Sequence, residues 1–306
     1  MTSLARCLDP ELIQQVQRLD LRARFIVEGF LAGLHRSPFQ GPSVEFSEHR
    51  KYVQGDDLRS IDWNVFARTD RMYVRRYAAE THLDCHLLLD ASASMGYVGP
   101  RDERPRDGAP AAKLLYAVHL AAALAYLVMR QQDAVGLGII GGGLRTWLPP
   151  RSRRTDLVHL LAALAAVRPS GETGLVRGVH DALHRAAHRG VFVILSDLLT
   201  DGSDLLRAFH HVRYRGHDLI VMHVLDAAET SLPFHGVLRL EDPESGAWLE
   251  VDSDSARAGL ESAVRAWRAE LKGRLDALRA DYVALDTSMP FNRALVEFLI
   301  QRSRRR

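Results

Sequence analysis

Short apolar segments alternate with helical segments over most of the chain, and this alternation constrains the fold more than any other feature. The apolar segments are rich in Val, Leu and Ile, as are strands covered on both faces in a parallel sheet. Strands that alternate with helices predict an α/β fold, here a doubly wound, mostly parallel sheet. The strand-like segments are LDCHLLLDA, AVGLGIIG, VFVILSD, DLIVMHVLD and YVALDT, and the helical ones cover 111–130, 154–167, 175–188, 204–215 and 255–280.

Composition changes near residue 80 and divides the chain into two parts. Residues 1–80 begin with a helical pattern, break at HRSPFQGPS and continue as an extended, charged segment that contains GDDLRSIDW. Residues 81–306 carry the alternation, which is interrupted near 236–252. Two short strands around DPESG predict a β-hairpin there, because Pro and Gly favour the turn. We expect an N-terminal helix and a β-rich extension, followed by an α/β domain with a hairpin insertion.

Charge and cysteine usage exclude several classes of function. The 306 residues include 40 basic and 38 acidic side chains, interspersed to a net charge of +2, so no strong field attracts nucleic acid or a membrane surface. Cys7 and Cys85 lie far apart and suit no metal spacing, which predicts a reducing compartment, the cytoplasm by default. The longest apolar stretch, 114–129, is shorter than the ~20 residues of a bilayer span. We expect neither a transmembrane segment nor a signal peptide, and no nucleic-acid partner.

A carboxylate and two hydroxyls follow the most apolar strand. Asp90 ends HLLLD, and Ser92 and Ser94 follow at alternate positions. Ligands of open α/β sheets gather at the carboxyl ends of strands, and alternate residues of an extended loop point to the same side. Carboxylate and hydroxyl oxygens suit Mg²⁺ and do not attract zinc. Asp197, directly after VFVILS, and Thr173, in the loop RPSGETGL, supply two further oxygens.

These five residues predict an incomplete oxygen cage with few negative charges, which leaves a bound cation able to take a carboxylate from another molecule. The loop taken alone fits a capped helix start equally well, since Asp and Ser are preferred N-caps. The distant Thr173 and Asp197 favour metal binding.

The same residues carry a resemblance to a known site. D-x-S-x-S followed by a distant Thr and a distant Asp resembles the metal-ion-dependent adhesion site (MIDAS) of von Willebrand factor A domains. The block 45–80 resembles the signature of the bacterial family filed as domain of unknown function 58, in which G-D-D-x-R-x-I-D-W precedes the A-domain motif. The similarity continues over nearly the whole chain and departs from the pattern at Glu172, where a more glycine-rich loop is expected. The matching residues of the block are Gly55, Asp56, Asp57, Arg59, Ile61, Asp62 and Trp63.

The resemblance implies a von Willebrand factor A-like, Rossmann-type domain over 81–306 and no catalytic activity. It implies an Mg²⁺ or Mn²⁺ site and an adaptor role with a MoxR-type AAA+ ATPase and client proteins, in the assembly or maturation of protein complexes. The metal ligands are then Asp90, Ser92, Ser94, Thr173 and Asp197.

The charged element GDDLRSIDW has a structural interpretation that we favour over a catalytic one. Its acidic residues can pair with Arg50, Arg59 and Arg68 to organise the segment. We also expect the element to contribute a docking surface for a partner, with Trp63 as an apolar anchor beneath it. The residues of that surface are Arg59, Asp56, Asp57, Asp62 and Trp63.

A hydrolase or phosphotransferase that uses Asp90 at the strand end is the alternative function. A phosphotransferase of the haloacid dehalogenase type needs a second acid two residues later, where this chain has Ser92. A serine hydrolase needs a G-x-S-x-G elbow, which surrounds neither serine. The segment GIIGGGL lacks the spacing of a phosphate loop and predicts a hairpin turn.

Overall fold

The charged segment upstream of the alternating pattern belongs to a small unit, Ala32–His82, and the described residues from Leu83 onward belong to a second compact unit. The computed structural model describes residues 45–54, 56, 61–78, 83–97, 99 and 113–289. In the small unit β1 (Glu45–Lys51) pairs antiparallel with β2 (Tyr73–Ala78), and helix α1 (Trp63–Thr69) lies between them in the chain. The predicted β-rich extension is therefore observed, whereas the predicted N-terminal helix lies outside the described residues.

The second unit contains the sheet that the alternating pattern predicts. Its helices are α2 (Lys113–Arg130), α3 (Arg154–Ala166), α4 (Leu175–Arg185), α5 (Gly202–Tyr214), α6 (Ala227–Ser231) and α7 (Ser253–Ala277). Its strands are β3 (Asp84–Asp90), β4 (Ala134–Ile140), β5 (Leu144–Arg151), β6 (Gly190–Ser196), β7 (Asp218–Leu225), β8 (Val237–Glu241), β9 (Trp248–Asp252) and β10 (Asp281–Asp286).

Among the described residues, six strands form this sheet in the order β10-β7-β6-β3-β4-β5. Every neighbouring pair is parallel except β4 with β5, which is antiparallel. GIIGGGL makes the turn between β4 and β5, as predicted for a hairpin. The prediction of a doubly wound, mostly parallel α/β sheet is confirmed. Strand β3 lies inside the sheet between β6 and β4, so its carboxyl end is flanked by two further strand ends.

Helices cover both faces of the sheet because alternate strand side chains are apolar on each side. On one face Leu88 and Phe192 belong to a buried cluster with Val179 of α4, Phe209 of α5 and Leu275 of α7. Helix α2 packs against β3 and β4. It has the length and composition that could cross a membrane, yet most of it is buried inside the protein, as expected for a core helix.

Strands β8 and β9 form the predicted hairpin between α6 and α7, with antiparallel register. Its turn closes through hydrogen bonds from the backbone N–H of Asp242 to the carbonyl of Ala247, and from that of Gly246 to the carbonyl of Asp242. Gly246 has φ +71°, which favours glycine because a side chain strains this conformation. The DPESG segment is therefore the turn itself.

Candidate functional site

Asp90 is buried at the carboxyl end of β3 and both of its carboxylate oxygens accept hydrogen bonds. Oδ1 accepts from the backbone N–H of Ser92 at 3.0 Å, and Oδ2 accepts from the hydroxyl of Ser196 at 2.6 Å. The parallel register aligns Leu89 with Leu195, which brings the end of β6 beside that of β3. Burial first, and then the charge of Asp197, raise the pKa of Asp90 to about 6.

Ser92 and Ser94 lie beside this carboxylate on the loop that follows β3. Their hydroxyl oxygens are 3.0 Å apart and both residues are buried. Ser92 precedes a short 3₁₀ turn, Ala93–Gly96, but its side chain makes no capping hydrogen bond there. The serines therefore do not cap this turn, and one of the two hydroxyls donates a hydrogen bond to the other.

The loop that carries Thr173 packs against the loop that follows Asp90. The N–H of Ala93 donates to the carbonyl of Gly171 at 2.9 Å, and the N–H of Ser170 donates to the carbonyl of Ala91 at 3.0 Å. The backbone N–H of Thr173 itself donates to the carboxylate of Glu244 at 2.7 Å. Thr173 is thus held next to the Asp90 loop by backbone pairing.

Gly174 fixes the approach of the Thr173 loop to the turn between β4 and β5. A Cβ at Gly174 would lie 2.2 Å from the backbone N of Gly143 and 2.3 Å from the carbonyl carbon of Gly142. The N–H of Gly142 also donates to the carbonyl of Glu172 at 2.8 Å. Only a residue without a side chain fits this contact, so the two loops and the site share one backbone framework.

Asp197 follows β6 and is buried, and its Oδ1 accepts from the backbone N–H of Leu199 at 3.3 Å. Its Oδ2 accepts from the ammonium of Lys113 at 2.7 Å, and the same ammonium donates to Oε1 of Glu229 at 2.7 Å. Burial by itself lowers the pKa of Lys113, but the charges of Asp197 and Glu229 outweigh it and raise that pKa. Lys113 is a built-in cation at one side of the site.

The charges around the site do not balance. Glu229 and Asp197 share one ammonium, and in the described part of the chain no ion pair is formed by Asp90. Burial, as the largest cause, raises the pKa of Glu229 even though Lys113 opposes it. A buried carboxylate without a cationic partner favours either a proton or a metal ion. The site therefore has a place for one more positive charge.

The donor set fits a hard cation. No group of three or more His, Cys, Asp or Glu side chains that could hold a metal ion occurs in the described ranges, so a cation here would depend on hydroxyl oxygens as well as on carboxylates. The oxygens that meet here are one carboxylate and two hydroxyls, those of Asp90, Ser92 and Ser94, with the Thr173 loop adjoining. Such ligands match the preference of Mg²⁺, which keeps several waters.

Sequence reasoning missed Ser196, Lys113, Glu229 and Glu244 near this site. Two of them carry a signal in retrospect: Lys113 is the single ionised residue before Arg130 in a long apolar helix, and Glu229 completes a capping box with Asp226. An S/T/D-x-x-E pattern after a strand end marks a helix start. The contact of Glu244 has no sequence signal, because 71 residues separate it from Thr173.

The predicted docking residues belong to the small unit and have other local roles. Asp62 caps α1 by accepting from the N–H groups of Asn64 at 3.0 Å and Val65 at 3.3 Å. Asp56 accepts from the N–H of Val53 at 2.9 Å. Trp63 is 58% exposed, so the prediction of a buried anchor is wrong; as the first residue of α1 it extends from the helix. Gly55, Asp57 and Arg59 lie outside the described residues, as does the side chain of Arg50.

Residues 48–270 match the model of the family described as "Protein of unknown function DUF58". The uncharacterized protein Rv1480 of Mycobacterium tuberculosis is 32% identical over 300 residues, which cover 97% of this chain and 91% of that protein. An uncharacterized protein of Mycobacterium bovis has the same identity and coverage.

Two solved structures match a large part of this chain at low sequence identity. The conserved hypothetical protein BatB from Bacteroides thetaiotaomicron is 17% identical, with a TM-score of 0.47 over 73% of this chain and 100% of that one. The SpRpn10 VWA domain is 11% identical, with a TM-score of 0.37 over 72% of this chain and 95% of that one.

Proposed function

The chain belongs to the DUF58 family, and from this premise we propose that it is a protein-interaction module whose partner binding depends on a divalent cation. The observation that carries the proposal is the buried carboxylate of Asp90 beside the paired hydroxyls of Ser92 and Ser94. This arrangement supports a site of oxygen ligands that can accept one positive charge. It lies at the carboxyl ends of the strands, where ligands of α/β folds bind.

The proposed cation would be bound by five oxygen-bearing residues. Asp90, Ser92 and Ser94 would hold Mg²⁺ or Mn²⁺, with Thr173 and Asp197 completing the oxygen set directly or through water. The Lys113 ammonium reduces the capacity of Asp197 to bind a cation, because Oδ2 of Asp197 already accepts from that ammonium. A cation held by so few charges would supply a positive centre for an acidic side chain of a partner.

The proposed partner is a MoxR-type AAA+ ATPase, with client proteins of an assembly or maturation process, in the cytoplasm. Its support is the family resemblance of the sequence. Pull-down of candidate ATPases from the same organism, in Mg²⁺ and in chelator, tests this part of the proposal. Retention in Mg²⁺ that is lost in chelator is the expected result, and retention that ignores chelator would contradict it.

Titration of Mg²⁺ and Mn²⁺ into the protein tests the metal site. We expect saturable binding to wild type and strong weakening in Asp90→Ala, because the variant loses the buried carboxylate. Asp218→Ala, which alters a carboxylate at the opposite end of a strand, serves as the control. Equal affinity in wild type and Asp90→Ala would show that the loop binds no cation.

An enzyme that uses Asp90 is the alternative, and its support is the strand-end position. Asp90 is fully buried, and Ser92 occupies the position two residues later at which a phosphotransferase of the haloacid dehalogenase type needs its second acid. We therefore propose a non-enzymatic role. Incubation with acetyl phosphate followed by intact mass measurement tests it, and a stable phosphoryl adduct on Asp90 would revive the phosphotransferase.

A further inference from the structure

The tip of the β8–β9 hairpin places an acidic side chain at the candidate site. The carboxylate oxygen Oε2 of Glu244 accepts from the backbone N–H of Thr173 at 2.7 Å. Glu244 is half-buried, whereas its neighbours Asp242, Pro243 and Ser245 are exposed. The glutamate therefore points inward from a turn that is otherwise in solvent.

The turn holds Glu244 in place before any ligand binds. The backbone N–H of Glu244 donates to Oδ1 of Asp242 at 3.0 Å, and the hydroxyl of Ser245 donates to the other oxygen of the same carboxylate. An Asp at the start of a turn that accepts in this way restricts the following residues. Glu244 is thus presented by a rigid turn.

The second oxygen of Glu244 lacks a partner. Its Oε1 is shielded from solvent and accepts no hydrogen bond from the residues that the structure describes. A buried carboxylate oxygen is unfavourable unless a donor or a cation satisfies it. The carboxylate contacts the Thr173 loop, and that loop pairs with the loop after Asp90. A cation held between these two loops would satisfy the second oxygen.

We propose that Glu244 is an internal acidic ligand of the candidate metal site, and that it occupies the position which a partner's carboxylate takes on binding. This inference rests on the proposed function, since it needs the cation. The hairpin then regulates the site: while Glu244 is in place, the open position is closed from within the same chain.

The hairpin can leave the site at low cost because little of it is buried. Val237, Trp248 and Leu249 are exposed on its strands, so moving the tip breaks few core contacts. Segments with few buried apolar contacts open most readily in native proteins. Release of Glu244 therefore need not disturb the central sheet.

Three measurements on Glu244→Gln test the inference, with Glu250→Gln on the exposed part of β9 as the matched control. Titration with Mn²⁺ alone should show affinity weakened about tenfold or more in Glu244→Gln, the scale seen when groups that support a metal are removed. Water-proton relaxation at saturating Mn²⁺ should rise, because a water replaces the carboxylate. Amide exchange over 237–252 should slow with Mg²⁺ in wild type but not in Glu244→Gln.

Glu250→Gln should match wild type in all three. Mn²⁺ affinity, relaxation or hairpin exchange that is unchanged in Glu244→Gln would overturn the inference, provided that wild type binds Mn²⁺ and Asp90→Ala does not. If wild type shows no saturable binding, or Asp90→Ala binds equally well, the metal site itself fails. The Asp90 variant thus separates failure of the proposed function from failure of the inference.

Discussion

Replacement of Lys113 by Met should destabilise the protein strongly. The ammonium is fully buried and lies 2.7 Å from both Asp197 and Glu229. Removing one partner of a buried ion pair costs about 3–5 kcal/mol, because the remaining charge stays buried without compensation. Asp197 is 1% exposed and Glu229 is 22% exposed, so most of the loss comes from Asp197.

Urea unfolding and a thermal melt, both in chelator, measure this loss. Lys272→Met is the control, because Lys272 is an exposed residue of α7. For a domain of this size a loss of that order lowers Tm by about 10 °C. The control should change Tm little, as surface substitutions usually do. Equal stability of the two variants would refute the view that Lys113 compensates buried carboxylates.

The variant should also respond to pH and metal in a defined direction. Without the ammonium, the buried carboxylates bind protons more strongly in the folded state than in the unfolded one, so the deficit should shrink as pH falls. Mg²⁺ should restore more stability to Lys113→Met than to wild type, because a cation is now needed at Asp197 as well as at Asp90. Equal gains from Mg²⁺ would mean that the ammonium and the cation site are independent.

Three further predictions concern single residues. In chelator, wild type should lose about 2–3 kcal/mol of stability as pH rises from the ordinary aspartate pKa to about 6, because the folded state holds the Asp90 proton more tightly. Urea unfolding at pH 4 and pH 7 should show no such loss in Asp90→Asn. An identical pH profile in the two proteins would contradict the assignment. Gly174→Ala should lower the free energy of unfolding by about 1–3 kcal/mol through overpacking, and it should weaken Mn²⁺ binding. Gly259→Ala is the control, because a Cβ there has nothing within 4 Å. In the same thermal melt this control should be neutral or stabilising by up to ~1 kcal/mol. Cys85 should resist alkylation in the native protein, since burial raises its pKa to about 12, and mass mapping of labelled Cys85 without denaturant would show otherwise.

The sheet could be predicted because its information is local. Five apolar segments separated by helical periods define parallel strands before any contact is known, and Asp90 and Asp197 each stand at the end of one of them. The strand order was not predicted, since it depends on which segments pack as neighbours. Once β3 and β6 are adjacent, the two strand ends meet without further information.

Side chains that act across long separations could not be predicted in the same way. Trp63 was expected to lie beneath a docking surface as an apolar anchor, yet the buried residues at the start of α1 are Ile61 and the capping Asp62. The capping bond requires Asp62 at the N-cap, and Trp63 follows as the first helical residue. Local hydrogen bonding thus decided an orientation that hydrophobicity alone predicts incorrectly.

Lys113 and Glu244 alter the charge distribution at the site in a way that the sequence alone did not predict. From composition, the predicted ligands Asp90 and Asp197 carry two negative charges, with the hydroxyls neutral. The structure adds the Lys113 ammonium and the Glu229 carboxylate beside Asp197, which offset each other, and the Glu244 carboxylate beside Thr173. The site is therefore one unit more negative than the predicted ligands alone indicate. The ammonium compensates part of the charge at Asp197, whereas no ion pair of Asp90 or Glu244 occurs in the described part of the chain. A cation is therefore favoured on the side of Asp90 and Thr173, which is the side that Glu244 contacts.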